Sequence, residues 1–128
     1  DIRDIIAQHH GTTLAGIFYN KAKELDPDAK EDDYRYPGPK PESKEAGIVM
    51  LADSCEAAVR SLDEKDEASI RAMVTKIVRG KMTDGQLDSC NLSFRELGEI
   101  IDAFVTMQES YFHKRIKYDK EPENGADN

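Results

Sequence analysis

Between Leu92 and Ile116 the apolar residues fall at helical spacing: Leu97, Ile100, Ile101, Phe104 and Val105, then Tyr111. Side chains three or four residues apart share one face of an α-helix, whereas a half-buried strand alternates at every second residue. Similar spacing recurs in three other stretches, and no stretch alternates. The chain is therefore expected to be all-α, a helical bundle with no sheet of more than two short strands.

The expected helices cover 2–25, 44–62, 67–80 and 94–116. The first carries Ile2, Ile5, Ile6, Leu14, Ile17, Phe18 and Leu25. Ser43 caps the second, whose middle, "GIVMLADSCEAAV", is apolar on nearly every side, as suits a helix through the centre of a bundle. The third starts near Asp66 and frays around Gly80, with "TDGQLDSCN" as the next turn. Ser93 and Glu96 form an S-x-x-E capping box at the start of the fourth, with Leu92 and Leu97 placed as a hydrophobic staple. Residues 26–43 hold four of the five prolines and read as a long, stiffened surface loop. The tail, 119–128, is acidic, nearly free of apolar residues and expected to be disordered.

At 128 residues the chain is one domain or a large piece of one. Its net charge of −8 argues against binding a nucleic-acid polymer or an anionic membrane, because phosphate would be repelled. No apolar run approaches the roughly 20 residues needed to span a bilayer, and no signal peptide opens the sequence. Cys55 and Cys90 lack zinc-type spacing and read as reduced thiols.

Two of the three histidines, His9 and His10, are adjacent. Imidazole is the commonest protein ligand for transition metals near neutral pH. Consecutive helical residues stand about 100° apart, so the pair is expected to diverge instead of chelating one ion as an i, i+4 pair would. The bland alternative is one core histidine and one surface histidine. Asp53 interrupts the most apolar helix and is expected to be largely buried, with His9 or His10 sharing its pocket. A buried carboxylate needs compensation, from a cation or a metal ion. Arg60 is the structural alternative, although it lies two turns away and would have to fold back past Glu56. In "YRYPGPKP", Tyr36 and Lys40 are placed to meet a base or a phosphate, and Lys44 adds a further positive group. His113 and the four methionines read as surface or core filling.

With "HHGTT", "YPGPKPESKEAGIVMLADSCEAAVRSL" and "DGQLDSCNLSF" in view, the chain resembles a known family. It is similar, from Ile2 to about Tyr118, to the carboxy-terminal part of the cytosolic HD domain of the seven-transmembrane-receptor HD family. These are membrane-anchored cyclic-di-AMP phosphodiesterases. The resemblance implies two divalent transition-metal ions, iron or manganese, and hydrolysis of cyclic di-AMP to a linear dinucleotide. His9 and His10 match the tandem histidines that serve one ion, and Asp53 matches an aspartate that serves the other. Tyr36, Lys40 and Lys44 become candidates for substrate contact.

The sequence contains no His-Asp dipeptide, the family's name-giving dyad. We therefore expect the chain to begin partway through the domain, to hold metal partially or not at all, and to be inactive alone. No catalytic residue is expected within it beyond the metal ligands. A chain cut this way is expected to be soluble and to self-associate through its exposed apolar faces. The alternatives are an HD hydrolase for cyclic di-GMP, or a helical interaction module without catalysis.

Overall fold

The computed structural model describes the backbone of residues 1–126 and the side chains of residues 1–114. Among these residues are α1 (Ile2–Gln8), α2 (Gly16–Leu25), a one-turn 3-10 helix over Glu31–Tyr34, α3 (Lys44–Arg60), α4 (Glu67–Thr83) and α5 (Phe94–Ala126). No strand occurs among them, and extended pairing is confined to one isolated bridge, Leu14 to Arg35. The all-α expectation holds. Among the described residues no helix is long and apolar enough to cross a membrane.

The start signals read from the sequence act as expected. Ser43 Oγ accepts from the Ala46 N–H at 3.1 Å and opens α3. The Asp66 carboxylate accepts from the Ser69 N–H at 2.8 Å ahead of α4. At α5, Ser93 Oγ accepts from the Glu96 N–H at 3.1 Å, and Glu96 Oε1 accepts from the Ser93 N–H at 3.0 Å. Each pairing satisfies backbone donors that the first turn of a helix leaves open.

The chain forms two compact units, Asp1–Leu51 with Gly80–Leu92, and Ala52–Arg79 with the segment from Ser93 onward. In the first, Ala46, Met50, Leu51, Leu87 and Cys90 are buried, as are the polar Gln8 and Gln86. In the second, Ile70, Val74 and Val78 form one buried row along α4, joined by Cys55, Val59, Leu97, Val105 and Phe112. Burying each such aliphatic side chain is worth about 1.5–3 kcal/mol, which fixes the inner face of α4. Arg71 of α4 reaches Asp102 of α5 at 2.8 Å. Both cysteines are buried thiols outside any disulfide.

Three expectations are corrected. The stretch 2–25 is not one helix: it breaks after Gln8 and restarts at Gly16, because Gly11 adopts φ +52, a left-handed conformation that ends helices. Its apolar side chains are left open, with Ile2, Ile6, Ile17, Phe18 and Leu25 all at least 64% exposed. α3 is one-sided and not apolar all round. Its buried positions are 46, 47, 50, 51, 55 and 59, while Ile48 and Val49 face outward. α4 does not fray at Gly80 but continues to Thr83, since a lone glycine weakens a helix without ending it. The loop 26–43, read as partly stiffened, does carry the 3-10 turn and backbone bonds from Ala15 N–H to Tyr34 O (2.7 Å) and Tyr36 N–H to Thr13 O (3.0 Å). The tail expected to be disordered, 119–128, has side chains outside the described residues. Its backbone is drawn as part of α5 to Ala126.

Two glycines on helices separate close packing from open surface. A Cβ on Gly47 would stand 3.0 Å from Cys90 Sγ and 3.3 Å from Leu92 Cδ1, whereas one on Gly80 meets nothing within 4 Å. Gly47→Leu is therefore expected to destabilise the protein by about 1–3 kcal/mol through overpacking. Gly80→Ala is expected to stabilise it by roughly 0.5–1 kcal/mol through helix propensity. Urea unfolding checks both, and an unchanged midpoint for Gly47→Leu would contradict the close approach of α3 to the 90–92 segment.

Candidate metal centre

The helix break places the histidine pair in a turn. His9 is the C-cap of α1, with φ −66 and ψ −20, and residues 9–12 curl back on themselves. The Gly11 N–H donates to Gln8 O at 2.9 Å and the Thr13 N–H to His10 O at 3.0 Å. Released from the 100° helical step, the two imidazoles converge instead of diverging. Their ring centroids are 4.0 Å apart.

One ligand atom from each of His9, His10 and Asp53 lies within 4.8 Å of the others. Donors sharing one ion, each about 2.0–2.2 Å from it, stand about 3–3.5 Å apart, inside the 4.8 Å limit that bounds this group. Two imidazoles and a carboxylate are a donor set suited to a divalent transition metal. His9 Nδ1 lies 2.6 Å from Ile6 O, and because a carbonyl only accepts, that nitrogen carries the proton. Nε2 is then the nitrogen with a lone pair, as in metal-binding histidines whose other nitrogen donates to the backbone. The donor set fits a metal.

Asp53 is exposed, not buried as expected. It stands on α3 away from the buried Leu51, Cys55 and Val59, because the apolar run exceeds what one helix face covers. Arg60 does not fold back to it: Arg60 pairs with Glu56 at 2.9 Å. The solvent-facing carboxylate avoids most of the desolvation cost that a buried one would carry.

Of the residues proposed for substrate contact, Tyr36 is brought to the cluster. Its ring stacks on His10 at 4.4 Å between centroids and 15° between planes. Lys40 points elsewhere: its Nζ is 3.4 Å from where a Cβ on Gly85 would sit, and Asp88 Oδ2 is 3.1 Å from that same point. Lys44 opens α3, nine residues before Asp53, or about 13 Å along the helix.

The residues that hold the turn were missed in the sequence. Thr12 donates its N–H to Gln86 Oε1 at 2.9 Å, and Gln86 Nε2 donates to Thr12 Oγ1 at 3.0 Å and to Asp84 Oδ2 at 2.9 Å. Arg35 Nη1 donates to Thr12 O at 2.9 Å, and the guanidinium clasps both Asp84 oxygens at 3.1 Å. Lys81 Nζ donates to Thr13 Oγ1 at 2.9 Å. The one available signal was an uncharged amide in "DGQLDSCN", set just before buried Leu87.

No protein-family model matches the chain. It is 46% identical over 117 residues to the cyclic-di-AMP phosphodiesterase PgpH of Listeria monocytogenes, covering 91% of this chain and 16% of that protein. It is likewise 46% identical over 118 residues to PgpH of Bacillus subtilis, covering 92% and 17%. The crystal structure of the L. monocytogenes PgpH HD domain in complex with cyclic-di-AMP superposes with a TM-score of 0.82. That alignment has 45% identity and covers 86% of this chain and 52% of that one.

The chain is homologous to the HD domain of PgpH. The expected family resemblance and the helical HD-type fold are thus borne out. The chain spans about half of the solved PgpH HD domain and a much smaller share of the two full-length PgpH proteins.

The Arg35 guanidinium, helped by the Gln86 amide, holds the Asp84 carboxyl below the usual aspartate range. A folded-state value below the unfolded one, about 3.9, gives stability that is complete above that value. It is lost as pH falls through the folded one. Asp84→Asn is therefore expected to melt below wild type at neutral pH, with the gap narrowing as pH drops from about 4 toward 2. Thermal melts across that range check it; a constant gap would mean that the Arg35 clasp does not act through the Asp84 charge.

Proposed function

We propose that the chain supplies part of the metal-dependent phosphodiesterase centre of a cyclic-di-AMP-hydrolysing HD domain. The observation that carries this reading is the convergence of the His9, His10 and Asp53 donors in a chain 46% identical to PgpH. In this assignment His9 and His10 hold one divalent ion and Asp53 serves a second, both iron or manganese. Bound ions of this kind supply Lewis-acid polarisation of a phosphodiester and activation of water. Tyr36 orients the His10 ring and offers its exposed edge to a nucleobase. Lys40 and Lys44 contribute positive charge toward phosphate, Lys44 the more directly, given the turn toward which Lys40 points.

The chain alone is inactive on this reading. Two ions need about four ligands each, and three donors are on hand among the described residues, with no His-Asp dyad in the sequence. The domain organisation proposed is residues 1–118 as the carboxy-terminal part of the HD domain, followed by the acidic tail 119–128. In the parent protein the domain stands on the cytoplasmic side of a membrane anchor. In isolation the exposed apolar residues of α1 and α2 seat a second copy of the chain, since apolar patches of this kind tend to be covered by association.

The test compares this chain, a complete HD domain containing it, and that domain with Asp53→Ala, each with manganese or iron and cyclic di-AMP. The complete domain is expected to release linear dinucleotide and the chain alone to release none. Asp53→Ala is expected to lose metal and activity by orders of magnitude while staying folded, because neutral imidazoles offset little of a dication's desolvation. Full activity of Asp53→Ala would overturn its role. Faster turnover of cyclic di-GMP would reassign the substrate, and an inert complete domain would leave a helical interaction module.

A further inference from the structure

His9 and His10 stand at a helix end, where the regular ladder no longer fixes direction, and the turn they occupy is held at its far side by Thr12. Every polar group of Thr12 has a side-chain partner. Gln86 Oε1 accepts its N–H, Gln86 Nε2 donates to its hydroxyl, and Arg35 donates to its carbonyl oxygen, at 2.9, 3.0 and 2.9 Å. Gln86 is fully buried, and a methionine or leucine would fill a similar volume. What the carboxamide adds is direction, because hydrogen bonds weaken steeply away from linear geometry.

The amide has one permitted orientation. Nε2 faces Asp84 Oδ2 at 2.9 Å, and a flipped amide would present its oxygen to that carboxylate. Asp84 is in turn fixed by the two-pronged contact from Arg35. Gly11, next to His10, completes the fit: a Cβ there would lie 2.5 Å from Gln86 Oε1 and 2.8 Å from Met50 Cε. The turn can approach the amide only as glycine.

We propose that Gln86 is a positioning residue for the metal-ligand turn, its buried carboxamide orienting His9 and His10 through Thr12 and thereby setting how strongly the cluster takes up a divalent ion. The part concerning ion uptake rests on the metal reading above; the part concerning the imidazoles does not. A partner that orients a ligand without touching the ion typically accounts for 10–100-fold in metal affinity.

The experiment uses the 128-residue chain as wild type and as Gln86→Met. Imidazole nitrogen NMR is recorded without metal, followed by titration with Co²⁺. Gln86→Met is expected to shift the ring signals of His9 and His10, leave those of His113 in place, and weaken Co²⁺ uptake by about 10–100-fold. If Gln86→Met fails to fold, Thr12→Val, which removes only the hydroxyl contact, is expected to move the same two sets of signals. Signals of His9 and His10 that superpose on wild type in a folded variant overturn the proposal. Shifted signals with no Co²⁺ uptake by the wild type support the positioning role and remove the metal reading instead.

Discussion

The carboxamide of Gln86 against the backbone of Thr12 is the contact on which the arrangement of the candidate site depends. It joins residues 74 apart in sequence, and it lies where α1 has ended and α2 has not begun. Without such an anchor, residues 9–15 would be free to continue the helix or to sample many turns, since fixing each residue's backbone costs roughly 1–2 kcal/mol in entropy. The anchor is itself layered: Arg35 fixes Asp84, Asp84 fixes the Gln86 amide, and the amide fixes Thr12. Gln8 adds a second tie from the other side of the turn, its buried side-chain oxygen accepting from the Glu42 N–H at 2.9 Å.

A turn built this way does what a helix face cannot. On a continuous helix His9 and His10 would point about 100° apart. At the end of α1 one ring is held by Ile6 O, the other stacks on Tyr36, and their centroids close to 4.0 Å. The loop that carries Tyr36 is tied to the same turn by the bond from the Tyr36 N–H to Thr13 O. The segments that carry the stacking ring and the histidine pair are therefore joined by backbone hydrogen bonding.

The local features of the fold were legible because their causes are local. Ser43 and the Ser93–Glu96 pair announce helix starts within four residues of sequence, and α4 and α5 show their inner faces by spacing alone. The break in 2–25 was not legible, because Leu14, Ile17 and Phe18 keep nearly the same period as Ile2, Ile5 and Ile6 across Gly11. The turn that follows the break is held by a buried amide far along the chain. The burial of Asp53 was misjudged for a related reason. An apolar run as dense as "GIVMLADSCEAAV" suggests burial all round, yet Ile48 and Val49 are exposed, and Asp53 shares their open side. The pairing of Asp53 with the histidines was read from a carboxylate set in the most apolar helix, and the resemblance then implied which ion each would serve.

Charge gives the proposed chemistry its last constraint. The chain carries a net charge of −8, and a phosphodiester approaching it meets a repulsive field unless local positive charge offsets that field. Arg35 cannot offer that charge, since its guanidinium is clasped by Asp84. Lys40 Nζ lies near Gly85, on the same side as the Asp88 carboxylate. The histidine–aspartate cluster brings a carboxylate and no lysine or arginine of its own, so it adds no fixed positive charge to meet a phosphate. Divalent ions held by His9, His10 and Asp53 would, on the proposed reading, reverse the sign of that field beside the ring of Tyr36. On the proposed reading the ion is thus needed for substrate approach as much as for the hydrolytic step, and the geometry of the 9–13 turn governs both.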